Sequence, residues 1–325
     1  MPRYWMISDR EQDDDRLGGD PGPLSYWVSE SGPLDRLSSW KNVGPDRFRT
    51  LLVGQAETFP SFGPEDHEKQ KHVTLFVHGY NNDWEDAARR YGSLCRLLFS
   101  PKGGLGTCVL FTWPSDGMAV SYLPDRAEAR RCAPDLAEVL SMLYDWLAVK
   151  QVEGAADAAK ACRAKTSIIA HSMGNYLLQN AMQMAWTRKN QPLLLSLVNQ
   201  LLMVAADVDN DLFECGESSD GSDGDAIANL TYRVTALYSG LDSVLGLSAG
   251  MKHFGKRRLG RSGLDRTVPK PDNVWDVDCS PLFPAGQGNI HSAYFEAKKT
   301  IALMKAVLQG VDRGVLALRK LAPQG

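Results

Sequence analysis

Apolar and polar residues change period along this chain, and from residue 72 onward the change is regular. Residues 73–77, Val-Thr-Leu-Phe-Val, form an apolar run of strand length, and helical spacing follows over about residues 83–99. Residues 108–112, Cys-Val-Leu-Phe-Thr, make the next run, and a long amphipathic stretch covers about 125–148. A third run ends at Ser172 and passes at once into helical spacing that lasts to about Arg188. Runs over 201–206 and 232–238, a short one over 274–277, and helical spacing over about 292–321 complete the series. Strands that are apolar throughout and alternate with helices predict a doubly wound α/β fold, its sheet mostly parallel and covered on both faces.

The first 64 residues do not follow this rhythm and read as a β/α extension packed on a core of residues 65–325, the two making one structural unit. Residues 4–7 and 24–28 are aromatic and β-branched runs that predict an antiparallel pair, separated by a Gly/Pro-rich stretch over 18–23. Residues 48–58 have helical spacing, with Pro45-Asp46 at the start. Residues 214–225, rich in Gly, Ser and acidic side chains, predict a surface loop.

Composition narrows the function classes. With 325 residues and 43% hydrophobic content the chain is long enough for one large α/β domain. A formal net charge of -3 argues against a nucleic-acid partner, which calls for a basic footprint. The first ten residues lack the apolar core of a secretory signal, and no apolar stretch reaches the roughly 20 residues of a membrane span. A cytoplasmic protein without an integral membrane segment is expected. The six cysteines are scattered with no C-x-x-C pair, so neither a metal site, a redox pair nor a cofactor is indicated.

In a parallel sheet, ligands bind beyond the carboxyl ends of the strands, and the chemistry-bearing residues fall there. Ala170-His171-Ser172-Met173-Gly174 joins a strand to a helix through a tight turn with a serine at its apex. Small residues two before and two after the serine let strand and helix pass closely, which lifts the hydroxyl clear of the sheet. Ala170 stands where glycine is usual. A serine hydroxyl needs a base, and the base an orienting carboxylate, here in the order Ser, Asp, His. Of six histidines only His253 and His291 follow the candidate acids. His253 lies in a basic stretch, whereas His291 sits between the last short strand and the last helix, where the base belongs. Asp242 follows the strand over 232–238 and is the favoured acid; Asp207 and then Asp209, after the preceding strand, are alternatives. The backbone N–H groups of Met173 and Tyr80 are the expected oxyanion donors, with Gly79 allowing close backbone approach. His78, Gly79, Trp113 and Tyr122 are expected to contact substrate. Lys252, Lys256, Arg257, Arg258 and Arg261 form a basic run whose default reading is a solvated helix face.

The combination His78-Gly79-Tyr80-Asn81, Trp113-Pro114-Ser115 and Ala170 to Asn175 resembles the bacterial esterase/lipase-like hydrolases of unknown function within the α/β-hydrolase superfamily. The resemblance runs from about His72 to Lys299. It implies the α/β-hydrolase fold and a serine hydrolase mechanism, and it does not supply a substrate. Hydrolysis of a small-molecule carboxylic ester is the expected reaction, with lipase, thioesterase and acyltransferase chemistry open to the same residues. A catalytically silent binding protein is the alternative from another class. Nothing in the sequence assigns an oligomeric state.

Overall fold

The computed structural model of the chain describes residues 3–80, 82–100, 103–115, 122–157, 162–189, 196–214, 224–252 and 256–322. They fall into two compact units, Met1–Thr166 and Ser167–Gly325.

The first unit opens with a hairpin. Strand β1 (Tyr4–Asp13) pairs antiparallel with β2 (Arg16–Ser29), with Trp5 opposite Val28 and Ile7 opposite Tyr26. The Gly/Pro-rich residues 18–23 are not the connection that their composition suggests. They belong to β2, and the chain reverses at Asp14, whose φ is 36°. The ladder tolerates Pro21 opposite Arg10 because the register shifts on both sides of Arg10, so a bulge absorbs the missing N–H. Strand β3 (Lys41–Asn42) pairs with β2. β1 also pairs in parallel with β5 (Gly106–Thr112), and β5 in parallel with β4 (Lys71–Val77), giving the order β3-β2-β1-β5-β4. Among the described residues its α-helices are α1 (Pro45–Glu57), α2 (Trp84–Leu98) and α3 (Tyr122–Ala156). Tyr91 of α2 is fully buried; its hydroxyl accepts from the Trp5 N–H at 2.9 Å and donates to the Cys108 carbonyl at 2.8 Å. A buried tyrosine needs such partners, and here they tie α2 to two neighbouring strands.

The second unit carries β6 (Ala164–His171), which begins at the junction, then β7 (Val198–Val204), β8 (Thr231–Tyr238) and β9 (Val274–Asp278). They are parallel, in the order β6-β7-β8-β9. Ile168, Ile169, Leu201, Leu202 and Met203 are buried, as uninterrupted apolar runs require. The helices are α4 (Gly174–Lys189), α5 (Asp225–Leu230), α6 (Ser243–Lys252) and α7 (Leu259–Ser262). The closing helix expected over 292–321 is three helices instead: α8 (Ile290–Ala293), α9 (Lys298–Leu308) and α10 (Arg313–Leu318). Gly310, with φ 79°, follows α9, and Asp312 starts α10 by accepting from the Gly314 N–H at 2.8 Å. Of the loop expected at 214–225, residues 215–223 lie outside the described residues, as does His253. Among the described residues no helix is long and apolar enough to cross a membrane.

Candidate active site

Strand β6 delivers Ser172 to its carboxyl end, and α4 begins two residues later. Ser172 has φ 51°, a left-handed conformation that costs a non-glycine residue about 1–3 kcal/mol and persists only when its surroundings hold it. The surroundings are visible. The Ser172 N–H donates to the Val204 carbonyl at 3.0 Å, and its carbonyl accepts from the N–H groups of Asn175 and Asp207, both at 3.1 Å. The fully buried Asn175 side chain adds a clamp, its Nδ2 donating to the carbonyls of Ala170 (3.0 Å) and Ser172 (3.1 Å). Ala170 is itself fully buried, which fits the size requirement at that place.

Three of the residues singled out in the sequence meet here. The Ser172 hydroxyl donates to His291 Nε2 at 2.8 Å, and His291 Nδ1–H donates to Asp242 Oδ2 at 2.8 Å. Both distances lie within the reach of proton transfer. His291 stands on α8, a single turn preceded by Asn289 in the left-handed region. Asp242 is fully buried at the start of α6, where its other oxygen, Oδ1, accepts from the Leu245 N–H at 3.0 Å. Helix capping and the histidine contact are thus carried by different oxygens of one carboxylate. The turn before it is fixed by the Ser239 and Ser280 hydroxyls, the latter accepting from the Gly240 N–H at 3.0 Å.

His171, adjacent to Ser172, makes a contact that the sequence does not reveal. Its Nε2–H donates to the His291 carbonyl at 3.0 Å, and the two rings lie 4.9 Å apart. It therefore ties the residue beside Ser172 to the backbone of His291.

Asp207 has a different partner. Its Oδ1 accepts from Arg258 Nε at 2.8 Å and from the Ser248 hydroxyl at 3.1 Å, while Arg258 also binds Asp209 and the Asp207 carbonyl. Arg258 is fully buried, which corrects the expectation of a solvated basic face at this position. Arg261 is likewise engaged, donating to the Asp242 carbonyl. Lys256 and Arg257 are exposed, with Lys256 Nζ 3.4 Å from Asp209.

In the first unit the turn after β4 is built around His78, which is fully buried. Nδ1–H donates to the Gly79 carbonyl at 2.8 Å, and Nε2 accepts from the Trp113 N–H at 3.2 Å. The Trp113 ring, also fully buried, stacks on His78 at 5.6 Å and donates from Nε1 to its carbonyl at 3.0 Å. Burial, with Arg10 adding a like charge, lowers the His78 pKa to about 3, so the ring is neutral. Asn82 closes the turn by donating to the Gly79 and Tyr80 carbonyls at 3.0 and 2.8 Å. In the structure His78 and Trp113 hold the shape of this turn. Tyr122 opens α3, and its side chain lies outside the described residues.

Residues 64–306 match the family described as Alpha/beta hydrolase of unknown function (DUF900). The uncharacterized protein alr1448 of Nostoc sp. is 23% identical over 270 residues, covering 69% of this chain and 67% of that protein. Among solved structures, an esterase of Pyrobaculum calidifontis is similar with a TM-score of 0.40 and 11% identity, covering 92% of this chain and 84% of its own. Aspergillus fumigatus lipase B is similar with a TM-score of 0.43 and 12% identity, covering 100% of this chain and 69% of its own.

Proposed function

Because the chain belongs to the alpha/beta hydrolases of unknown function, we propose that it is a serine hydrolase cleaving carboxylic esters through an acyl-enzyme on Ser172. The observation that carries this reading is the continuous line Asp242–His291–Ser172, with 2.8 Å at each step. His291 Nε2 takes the Ser172 proton as Oγ attacks the acyl carbon, and Asp242 holds the ring by Nδ1–H and stabilises the imidazolium. Negative charge then collects on the former carbonyl oxygen. The Met173 N–H is the donor in the proposal. The imidazolium returns its proton to the leaving alcohol, and water activated by the same base releases the acid.

A carboxylic ester is the favoured substrate class; lipase, thioesterase and acyltransferase activity would use the same atoms. The reading is tested with a fluorophosphonate probe and a series of p-nitrophenyl esters of increasing acyl length. Intact protein is expected to be labelled and to hydrolyse at least the short esters, and Ser172→Ala to do neither. Failure of the intact protein to react with any of these reagents would favour the silent binding protein.

A further inference from the structure

The buried charge cluster beside the nucleophile has no part in the proton transfers above, yet it leads by short contacts to Ser172. We propose that the Arg258–Asp207 pair positions the nucleophile: Arg258 anchors Asp207 by its carboxylate and carbonyl, and the Asp207 N–H holds the Ser172 carbonyl and keeps the serine in its left-handed conformation. This rests on the reading of Ser172 as nucleophile.

One guanidinium binds the Asp207 carboxylate through Nε at 2.8 Å and the Asp207 carbonyl through Nη2. Holding its carboxylate and its carbonyl leaves Asp207 little freedom, and the preceding peptide, which carries the Asp207 N–H, is held through the Ala206 carbonyl by the Gly260 N–H at 2.9 Å. The N–H of that residue is the one that reaches the Ser172 carbonyl, at 3.1 Å. The backbone around it is held continuously as well. Residues 257–260 run alongside 206–210, with the Asn210 N–H on the Arg257 carbonyl (3.0 Å), the Leu259 N–H on Val208 (2.9 Å) and the Gly260 N–H on Ala206 (2.9 Å). The same segment then crosses to the acid, since the Gly260 carbonyl accepts from the Ser239 N–H at 3.0 Å and Arg261 donates to the Asp242 carbonyl. One short stretch with two arginines therefore sets the nucleophile and the acid in register. Taking a guanidinium and a carboxylate almost wholly out of water seldom stabilises a fold more than apolar packing would. Its use here is geometric.

Arg258→Lys keeps the charge and loses the fork, and Asp207→Asn keeps the shape and loses the charge. Both are expected to lower kcat for p-nitrophenyl butyrate by about 10²-fold or less, the scale of a small misplacement of reacting atoms. KM and the pH of half-maximal kcat should stay as in the intact protein, because His291 and Asp242 are untouched. Crystal structures of the variants should show Ser172 Oγ drawn away from His291 Nε2. Ser248→Ala, which removes one hydrogen bond to Asp207 and leaves the ion pair, should show the same loss of kcat in smaller measure, and it serves if the charge variants do not fold. Unchanged kcat together with an unchanged Ser172 conformation in these variants overturns the proposal. So does an Asp207→Asn variant as inactive as Asp242→Asn with a shifted pH profile, since Asp207 would then be the acid. An intact protein that reacts with no probe defeats the nucleophile reading alone, and the Ser172 conformation in the variant crystals still decides the positioning.

Discussion

Asp242 presents its two oxygens to different tasks, and the tasks can be separated by substitution. Oδ1 caps α6 through the Leu245 N–H, and Oδ2 receives the His291 Nδ1–H. Asparagine is as good a cap as aspartate but cannot stabilise an imidazolium. Asp242→Asn is therefore expected to leave the melting temperature near that of the intact protein while lowering kcat by up to about 10⁴-fold. Asp242→Ala should lose activity to a similar extent and in addition about 1 kcal/mol of stability with the cap. Thermal melts and ester kinetics on the two variants check this. If Asp242→Asn keeps full activity, the acid lies elsewhere. At this scale the sequence was informative where a residue lies just beyond an apolar run, as Ser172 and Asp207 do, and Asp242 four residues after Tyr238. It was silent on the burial of Arg258, because the partners that compensate its charge lie 51 and 49 residues away. Five cations within ten residues look like a solvated face when only neighbours in sequence are counted.

Elements were legible where their periodicity was long and clean, as in β4, β5, β6 and β7, whose runs are apolar on both faces. Two elements misled. Proline and glycine over 18–23 are strong local signals for a turn, but β2 absorbs them as a bulged strand with β3 pairing only at Trp27 and Val28. The C-terminal helices keep one apolar rhythm across breaks made by Gly310 and Asp312, so periodicity alone does not find the breaks. A sharper test at this scale is Gly260, at the crossing of α7 over the end of β7. A Cβ there would lie 2.2 Å from the Ala205 carbonyl carbon and 2.3 Å from the Ala206 nitrogen, both backbone atoms that cannot swing aside. Gly260→Ala is predicted to cost at least the roughly 1–3 kcal/mol of an overpacked core and to lower the urea midpoint. A midpoint equal to that of the intact protein would show that the segment can lift off β7.

For the molecule as a whole, three buried groups of the first unit contribute to the pH dependence of stability between about pH 3 and 8. Burial, with Lys165 and Lys71 adding like charge, lowers His72 to about 3, and burial lowers His78 to about 3. Burial, with the like charge of Asp135 adding to it, raises Asp9 from 3.8 to about 8. Between about pH 3 and 6.5 the unfolded chain binds protons that both folded histidines refuse, so each favours the folded state as pH rises. Asp9 acts the other way between 3.8 and about 8, where the folded chain keeps a proton that the unfolded one releases. The two histidines outweigh the one carboxyl below pH 6.5, and Asp9 acts alone above it. Stability should therefore peak near pH 6.5 and fall toward pH 8 with a limiting slope of about 1.4 kcal/mol per pH unit. Urea denaturation across pH 4–9 measures this, and Asp9→Asn should flatten the alkaline limb. A midpoint that climbs steadily from pH 6.5 to 8 contradicts it.

The parallel pairing of β1 with β5 has a consequence for how the protein behaves in company. Trp5 to Ser8 occupy the side of β5 that Val109 to Thr112 would otherwise present as a row of unpaired N–H and C=O groups. Leu110 and Phe111 are fully buried in that row, so without the hairpin it would be an apolar and open edge, the kind that recruits strands from other chains. A protein shortened to begin at residue 64, where the family match starts, should self-associate at micromolar concentration by light scattering while the full chain does not. The hairpin thus acts as a guard against aggregation, shielding β5 from every neighbouring copy of the chain.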